Sequence, residues 1–226
     1  MSIIPSLTVD PILEPRRLRA ALVWGLGMPA CPATRSPFPA LAELLARVGR
    51  EGEAFLPAAR KAAVRDMLRH GKYKPAGRAK PSSEYLLAAA MAGEFPYVNG
   101  PVDANNAASL EWGYPASVFD LAKTGRELEL SRGRAGESFV FNLSGQTIDI
   151  EDLVVVRRRV GEAWEACGNP VKDAMATKVF EDCRDAAGLV YAPLSEGAAA
   201  LEACALRYAE YLQTVCGAAE VGWRIV

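Results

Sequence analysis

The chain has 226 residues, half of them hydrophobic and 23% charged, with 26 Lys and Arg residues against 27 Asp and Glu residues. This length suits one large domain or two small ones, and the composition is that of a globular protein rather than a disordered one. The formal net charge of −1 excludes attraction of the whole molecule to polyanions, so any binding of nucleic acid has to come from a local basic patch.

The cysteines indicate buried thiols rather than a disulfide framework or a metal site. They are odd in number and widely spaced, form no Cys-x-x-Cys pair, and are accompanied by a single histidine, His70. The five are Cys31, Cys167, Cys183, Cys204 and Cys216. We therefore predict no metal site and no cofactor.

The segment 1–17 has no charged region followed by a sustained apolar stretch, so it predicts no signal peptide. No run of 18 apolar residues predicts a membrane span. These features predict a soluble protein in the cytoplasm.

The first half of the chain predicts one strand and three helices. Residues 19–25 form a short apolar run typical of a buried strand, and 39–49 place leucines and a valine at helical spacing. Residues 57–70 continue with a helical pattern, and the Pro-, Gly- and Lys-rich segment 72–82 predicts a loop. Ser82 or Ser83 is expected to cap the third helix.

The second half changes to short β-rich runs from Glu127 onward, which are typical of a meander. It ends with a strand at 189–193, an Ala-rich helix at 196–215 and a last strand from 220. That order predicts a pair of parallel strands joined by a crossover helix. Without an internal repeat or linker, 1–226 is predicted to be a single domain.

One ordered set of motifs stands out, beginning in PVDANNAASLEWGYPASVFDLAK at 101–123. It contains Val-Asp, an Asn three positions after that Asp, a Leu, Gly-x-Pro and Phe-Asp-Leu. Further along come Arg132, the Gly136-Glu137 pair, Gly145, a strand LVVV and Thr177.

This set, across about residues 80–180, resembles the B3/B4 domain, the editing module of the phenylalanyl-tRNA synthetase β subunit, in a free-standing form. The resemblance implies an α+β fold of layered mixed β-sheets with outer helices. It also implies hydrolysis of tyrosine wrongly esterified to a tRNA, at a site formed by loops around 106–120 and 168–177. Such a second, hydrolytic site removes errors that an aromatic pocket discriminates poorly by shape.

The resemblance assigns several residues to the substrate pocket. Asn106 matches the pocket Asn of the family, Pro115 its pocket Pro, and Gly168 a pocket Gly. Ser117 stands where the family has a His, so no side chain that titrates near neutrality is expected there. An alternative interpretation makes Asn106 a helix cap or turn brace, and makes Ser117 a small residue that closes a turn.

The loop GNPVKDAMATK coincides with the pocket loop of the family. Lys172 is expected to meet a phosphate or the terminal nucleotide, and Asp173 and Thr177 to bind substrate or water; a plain surface loop is the alternative. Glu181 or Asp182 falls in the region of the glutamate that reads the tyrosine hydroxyl group. The candidates for catalysis are Ser117, Asn106 and Thr177.

Two further acidic residues of the motif set are expected to be structural. Asp120 is placed to brace its loop through backbone N–H groups, and Glu137 lies at a turn between strands.

The segment 60–80 is strongly basic, with Asp66 as its one acidic residue and Tyr73 as a stacking face. A basic strip of this kind gives salt-dependent binding of RNA through phosphates, whereas its alternative is a solvated helix face followed by a loop. The predicted RNA-binding residues are Arg65, Arg69, Lys72, Lys74, Arg78 and Lys80.

These observations lead to three hypotheses. The first is a trans-acting factor that hydrolyses mischarged aminoacyl-tRNA; the second is a module that binds an amino acid or a tRNA end without turnover; the third is an enzyme for a small ester or amide. The predicted partner is the aminoacylated end of tRNA or an amino acid, with no role for DNA or membranes. All three require the Val-Asp-x-x-Asn and Gly-Asn-Pro segments to converge on one cavity.

Overall fold

The computed structural model describes residues 4–13 and 17–226. The segment 1–17, predicted to contain no signal peptide, lies partly outside these described residues. Within them the helices are α1 (Pro39–Glu51), α2 (Ala58–Leu68), α3 (Ser82–Met91), α4 (Gly100–Trp112), α5 (Leu121–Thr124) and α6 (Ala198–Thr214). None of the helices in the described part is long and apolar enough to cross a bilayer.

The strands of the same residues form three sheets. They are β1 (Ser6–Val9), β2 (Leu18–Leu26), β3 (Ala116–Asp120), β4 (Glu127–Arg132), β5 (Ser138–Val140), β6 (Thr147–Asp149), β7 (Val154–Val160), β8 (Ala163–Gly168), β9 (Ala186–Pro193) and β10 (Glu220–Ile225). The order is β10-β2-β9-β3 in one sheet, β1-β4-β7-β8 in another, and β5-β6 form a separate hairpin. The predicted α+β class is confirmed.

The β10-β2-β9-β3 sheet is antiparallel throughout and carries the centre of the core. Strand β2 is buried from Ala20 to Leu26, as its apolar run predicts, and α6 packs against it. Close packing requires a glycine in β9, since a Cβ on Gly188 would lie 2.3 Å from a ring carbon of Tyr208 in α6.

The predicted pair of adjacent parallel strands at the C-terminus is wrong in one respect. Strands β9 and β10 do run parallel, but both pair with β2, which lies antiparallel between them. The reason is that β2 is buried at its centre and takes a hydrogen-bonded neighbour on each edge. Helix α6 has 17 residues, which at ~1.5 Å per residue is long enough to carry the chain past one intervening strand.

The predicted meander is only partly right. Strands β4, β7 and β8 are neighbours in the mixed sheet, where β1 adds a parallel edge strand. The β5-β6 hairpin does not join that sheet and projects from it as an insertion between β4 and β7. Strands β5 and β6 have only three residues each, which is too short for a sequence pattern to separate them from the neighbouring strands.

Neither Ser82 nor Ser83 caps α3, contrary to the prediction. The capping position is Pro81, and both serines lie inside the first helical turn. The Ser82 hydroxyl group instead accepts a hydrogen bond of 3.3 Å from the backbone N–H of Ala116 at the start of β3. Proline at the start of a helix provides the helical φ angle without a side-chain cap.

Candidate functional site: a cavity between helix α4 and the loop after strand β8

Helix α4 carries the Val-Asp-x-x-Asn motif and is held at both ends. At its start the Asn99 side chain accepts a hydrogen bond of 3.2 Å from Val102 N and donates one of 3.1 Å to Val179 O. It ends at Gly113, whose φ of 70° is the left-handed conformation that terminates helices. The predicted site loop around 106–120 is therefore a helix followed by strand β3, with only a short turn between them.

A cavity of ≈ 750 Å³ lies between α4 and the loop that follows β8. Helix α4 contributes Val102, Asn105 and Asn106, strand β3 contributes Ala116 and Val118, the loop contributes Val171, Lys172 and Asp173, and the hairpin tip contributes residues 141–144. The segments around Val-Asp-x-x-Asn and Gly-Asn-Pro thus meet at one cavity. Its size is within the ~300–1,000 Å³ of sites for small ligands.

Asn106 is half-buried and faces this cavity from the middle of α4. Its Oδ1 accepts a hydrogen bond of 3.4 Å from Asn105 Nδ2. Its own Nδ2 donates to no other described residue, which leaves this amide group available to a ligand. The alternative assignment as a helix cap is excluded, because Asn99 occupies the capping position.

Asp173 joins the cavity to the edge of a sheet. Its Oδ2 accepts a hydrogen bond of 3.1 Å from the backbone N–H of Val118, on the outer strand β3. Its Oδ1 is shielded from solvent and has no hydrogen-bond partner among the described residues. Burial raises the pKa of this carboxyl group to about 7, against the opposing effect of the hydrogen bond from Val118.

Ser117 does not reach the cavity. It belongs to β3, where successive side chains point to opposite faces, and its neighbours Ala116 and Val118 are the residues that line the cavity. The buried Ser117 hydroxyl group bonds to Asn169 O at 3.2 Å and to the Tyr191 hydroxyl group at 3.0 Å. The turn-closing alternative is also wrong, since the residue lies within strand β3.

Pro115, Gly168 and Thr177 are buried next to the cavity and do not line it. Thr177 uses its hydroxyl group on Cys167 O at 3.2 Å, which holds the end of the loop against β8. A Cβ on Gly168 would lie 2.5 Å from Phe119 Cε1 and 2.6 Å from Asp173 Oδ1. Gly168 therefore allows the close approach that positions Asp173.

Lys172 lies at the rim of the cavity. Its ammonium group lies 4.1 Å from the centroid of the Phe141 ring, on the hairpin tip. Burial, and then repulsion by Lys178, lowers the pKa of this amine. Glu181 also lines the cavity, whereas Asp182 does not.

The predicted basic strip is divided by the fold. Arg65 binds both carboxylate oxygens of Glu84, and Lys72 forms an ion pair of 2.8 Å with Glu151. Among the described residues, Arg69, Lys74, Arg78 and Lys80 have no ion pair. Two of the six predicted RNA-binding residues are thus held in ion pairs and four are not.

Tyr73 is not a stacking face. The residue is 6% exposed, and its hydroxyl group donates a hydrogen bond of 2.8 Å to Ala79 O. Sequence proximity to lysines and arginines does not reveal this packing. The accessible aromatic ring nearby is Tyr85 of α3, which is 54% exposed and lines the cavity.

A second depression, of ≈ 1240 Å³, adjoins the cavity; we call it the groove. Arg78 and Lys80 line it, with Tyr73 in its wall and the hairpin strand β6 on its far side. The groove and the cavity share Ser82, Tyr85, Phe141, Val171 and Lys172.

Sequence reasoning missed the hairpin tip and Asn105 as parts of the cavity wall. Adjacent helix positions point ~100° apart, so the motif Asn106 did not predict that Asn105 also lines the cavity. The tip contains Leu143, which is large and apolar yet 87% exposed. That exposure is visible only in the structure.

Two acidic residues of the motif set are held by structural contacts. The Asp120 carboxylate accepts from Ala122 N at 2.9 Å and pairs with Lys123 at 2.9 Å. Glu137 binds the buried guanidinium group of Arg157 through both oxygens, at 2.6 and 2.8 Å.

Among the described residues, no group of three or more His, Cys, Asp and Glu side chains is arranged to hold a metal ion. All five cysteines are buried free thiols. Their burial is as predicted from the sequence.

The fold is α+β, with a cavity of small-ligand size beside its central sheet. Residues 73–184 match the family model described as the B3/4 domain. The resemblance indicated by the ordered motifs is thus confirmed for these residues.

One solved structure similar to this chain is an N-terminal fragment of the phenylalanyl-tRNA synthetase beta-subunit from Pyrococcus horikoshii, with 11% identity and a TM-score of 0.48. The match covers 99% of this chain and 52% of that one, so the chain spans about half the length of that fragment. The comparison with curated proteins found no match.

Proposed function

We propose that this protein hydrolyses aminoacyl esters of tRNA, with the acyl group held in the cavity between α4 and the loop after β8. The observation that carries the proposal is the convergence on one cavity of an uncommitted Asn106 amide group and the raised-pKa carboxyl group of Asp173. A mischarged tRNA is a molecule of the cytoplasm, where we expect the protein to act.

The chemistry requires few groups, since an ester on a ribose is already reactive. Water attacks the acyl carbonyl carbon, the bond from that carbon to the ribose oxygen breaks, and the ribose oxygen takes a proton. Asn106 Nδ2 is the donor that we assign to the developing oxyanion; donors of this type lower the barrier because they are oriented before the reaction. Asn105 positions that amide group by donating to its oxygen.

Asp173 is the group that we assign to receive the proton of the attacking water. A base is most effective when its pKa is near the operating pH, and the pKa of about 7 meets this condition. The shielded position of its carboxyl group indicates transfer through a bridging water rather than by direct contact.

Deacylation of a panel of mischarged tRNAs tests the proposal. We expect release of the amino acid above the buffer rate for at least one pair, and a loss of about 100-fold or more in Asn106→Asp, which keeps the size and the acceptor but removes the donor. Gln213→Ala, on the exposed face of α6 and away from the cavity, is the matched control and is expected to retain full activity. Equal rates for Asn106→Asp and the unaltered protein reject the proposal.

A second candidate function is binding without turnover. It is favoured by the burial of Ser117 and Thr177, two of the three residues expected to act in catalysis. Thermal shifts with free amino acids and their esters separate the two functions, because a binder is stabilised by the ligand yet releases no product. Turnover of a free ester, unaffected by tRNA, indicates an enzyme for small molecules instead.

A further inference from the structure

The groove lies directly beside the cavity, and the two are continuous through the rim. Tyr85 of α3 and Lys172 of the loop after β8 belong to both. A ligand that fills the cavity with one end therefore extends into the groove with the other.

The groove is lined by three cations and one carboxylate. Arg78 and Lys80 approach from the loop before α3, Lys172 approaches from the opposite loop, and Asp149 is the acidic residue in the lining. In the described part of the chain none of the three cations forms an ion pair, unlike Arg65 and Lys72 of the same basic segment. Arg78 and Lys80 are thus not neutralised by a carboxylate partner among these residues, while the Lys172 ammonium group packs on the Phe141 ring at the junction.

The rim supplies an aromatic platform at the junction. Tyr85 is 54% exposed, although α3 buries most of its other apolar side chains. An exposed aromatic ring beside cations is the combination that binds unpaired nucleotides, since the bases stack on rings and the phosphates meet Lys and Arg side chains.

We infer that the groove binds the unpaired 3′-terminal nucleotides of an RNA, with a base on Tyr85 and the phosphates at Arg78, Lys80 and Lys172. The inference deepens the proposed function and rests on it for the direction of the strand. The acylated terminal ribose lies at the rim by Lys172, so that the acyl group enters the cavity while the preceding nucleotides follow the groove.

Binding of a short, unacylated single-stranded RNA, followed by fluorescence anisotropy, tests this without any catalytic step. We expect Arg78→Ala combined with Lys80→Ala to weaken binding and to flatten the slope of log K against log salt by about 1.4, because each phosphate contact on a single strand contributes about 0.7. The matched control is Arg50→Ala combined with Arg224→Ala, which removes two exposed arginines outside the groove and outside the predicted basic strip. This pair is expected to leave the slope unchanged.

Tyr85→Ala is expected to weaken binding about 5- to 100-fold with an unchanged salt slope, as loss of stacking predicts. Poly-glutamate of equal charge is expected not to compete. Equal losses in the two double variants, or full competition by poly-glutamate, reject the groove as a specific RNA site and indicate a surface that binds polyanions in general.

The outcome is separable from that of the proposed function. RNA binding with the expected variant pattern but without deacylation supports the assignment of the groove as an RNA site and rejects the proposed hydrolase activity. Deacylation that responds to Asn106→Asp but not to the Arg78 and Lys80 substitutions supports the proposed hydrolase activity and rejects the groove as the RNA site.

Discussion

Asp173 places its carboxyl group between an edge strand and the candidate cavity. The outer strand β3 leaves the backbone N–H of Val118 without a ladder partner, and Asp173 supplies the acceptor. Burial without a basic partner within hydrogen-bond reach then raises the pKa of the carboxyl group to about 7. One residue therefore completes a sheet edge and provides a group that titrates near neutrality.

This position predicts a specific dependence of stability on pH. An aspartate whose pKa rises from ~3.9 in the unfolded chain to about 7 in the folded one binds more protons when folded, so the free energy of unfolding falls as pH rises between these values. We expect Asp173→Asn, which keeps the acceptor for Val118, to be the more stable protein at pH 8, by up to about 4 kcal/mol. Urea unfolding at pH 4 to 8 measures the effect.

The control for this experiment is Asp182→Asn, at an exposed position outside the cavity. Its stability is expected to follow that of the unaltered protein at every pH. A constant difference between Asp173→Asn and the unaltered protein across the range contradicts a raised pKa.

Gly168 predicts a steric effect at the same place. Replacement by Ala brings a methyl group to 2.5 Å from Phe119 and 2.6 Å from Asp173, so we expect a loss of about 1 to 3 kcal/mol in the free energy of unfolding. Gly49→Ala is the control, since nothing lies within 4 Å of a Cβ there and helix α1 gains about 0.5–1 kcal/mol from the change. Equal denaturant midpoints for the two variants contradict the packing argument.

At the scale of elements, an ion pair attaches the β5-β6 hairpin to the mixed sheet. Glu137, just before β5, binds Arg157 of β7, which is 0% exposed and also donates to Arg132 O at 3.0 Å. Burial opposes ionisation of Glu137, but hydrogen bonds from Arg157 and Arg134 prevail and lower the pKa of the carboxyl group. The hairpin tip that lines the cavity is thus anchored at its base by a buried charge.

Glu137→Gln leaves this buried guanidinium group without its counter-ion, and we expect a loss of about 3 kcal/mol at neutral pH. Because the folded pKa is lowered, the stability from the pair is present above ~4.3 and is lost as pH falls through the folded value, so the difference shrinks in acid. Thermal unfolding at pH 7 and pH 3 measures both effects.

The exposed pair of Arg207 and Glu210 offers the comparison. Glu210→Gln is expected to change stability by less than about 1 kcal/mol, as exposed ion pairs do. A similar loss in both glutamate variants contradicts a special role for the buried pair.

At the scale of the whole molecule, the reactivity of the five cysteines tests whether the core is packed as described. All are buried, and burial raises the pKa of each described thiol, that of Cys216 to about 12. We expect the native protein to react slowly with a thiol reagent at pH 8 and to react at five sites in denaturant, since the thiolate is the nucleophile. Rapid reaction of any thiol without denaturant contradicts this packing.

The regular elements follow from sequence patterns that act locally. The apolar run of 19–25 becomes the buried part of β2, and the leucine spacing of 39–49 becomes α1, because periodicity alone sets which face is buried. The ordered motifs also identified the B3/4 domain, and they fall on the two segments that meet at the cavity. Their roles in binding and catalysis remain predictions.

Which side chains reach the cavity depended on packing between distant segments. Ser117 and Thr177 carry suitable hydroxyl groups, yet strand alternation and the packing of the loop after β8 bury both. Tyr73 likewise lies among exposed cations in sequence but inside the protein in space. A sequence pattern gives the residue types and their spacing. It does not show which side chains a neighbouring helix, strand or loop will cover.

The amino-acid sequence by itself determined the α+β class, the resemblance to the B3/4 domain and the segments that carry the motifs, since periodicity and residue order are local properties of the chain. Only the tertiary structure decided that Asn105 lines the cavity while Ser117 and Thr177 do not, that Arg78 and Lys80 face the groove, and that β2 separates β9 from β10. These depend on contacts between residues far apart in the chain, and a buried environment such as that of Asp173 exists only once those contacts have formed.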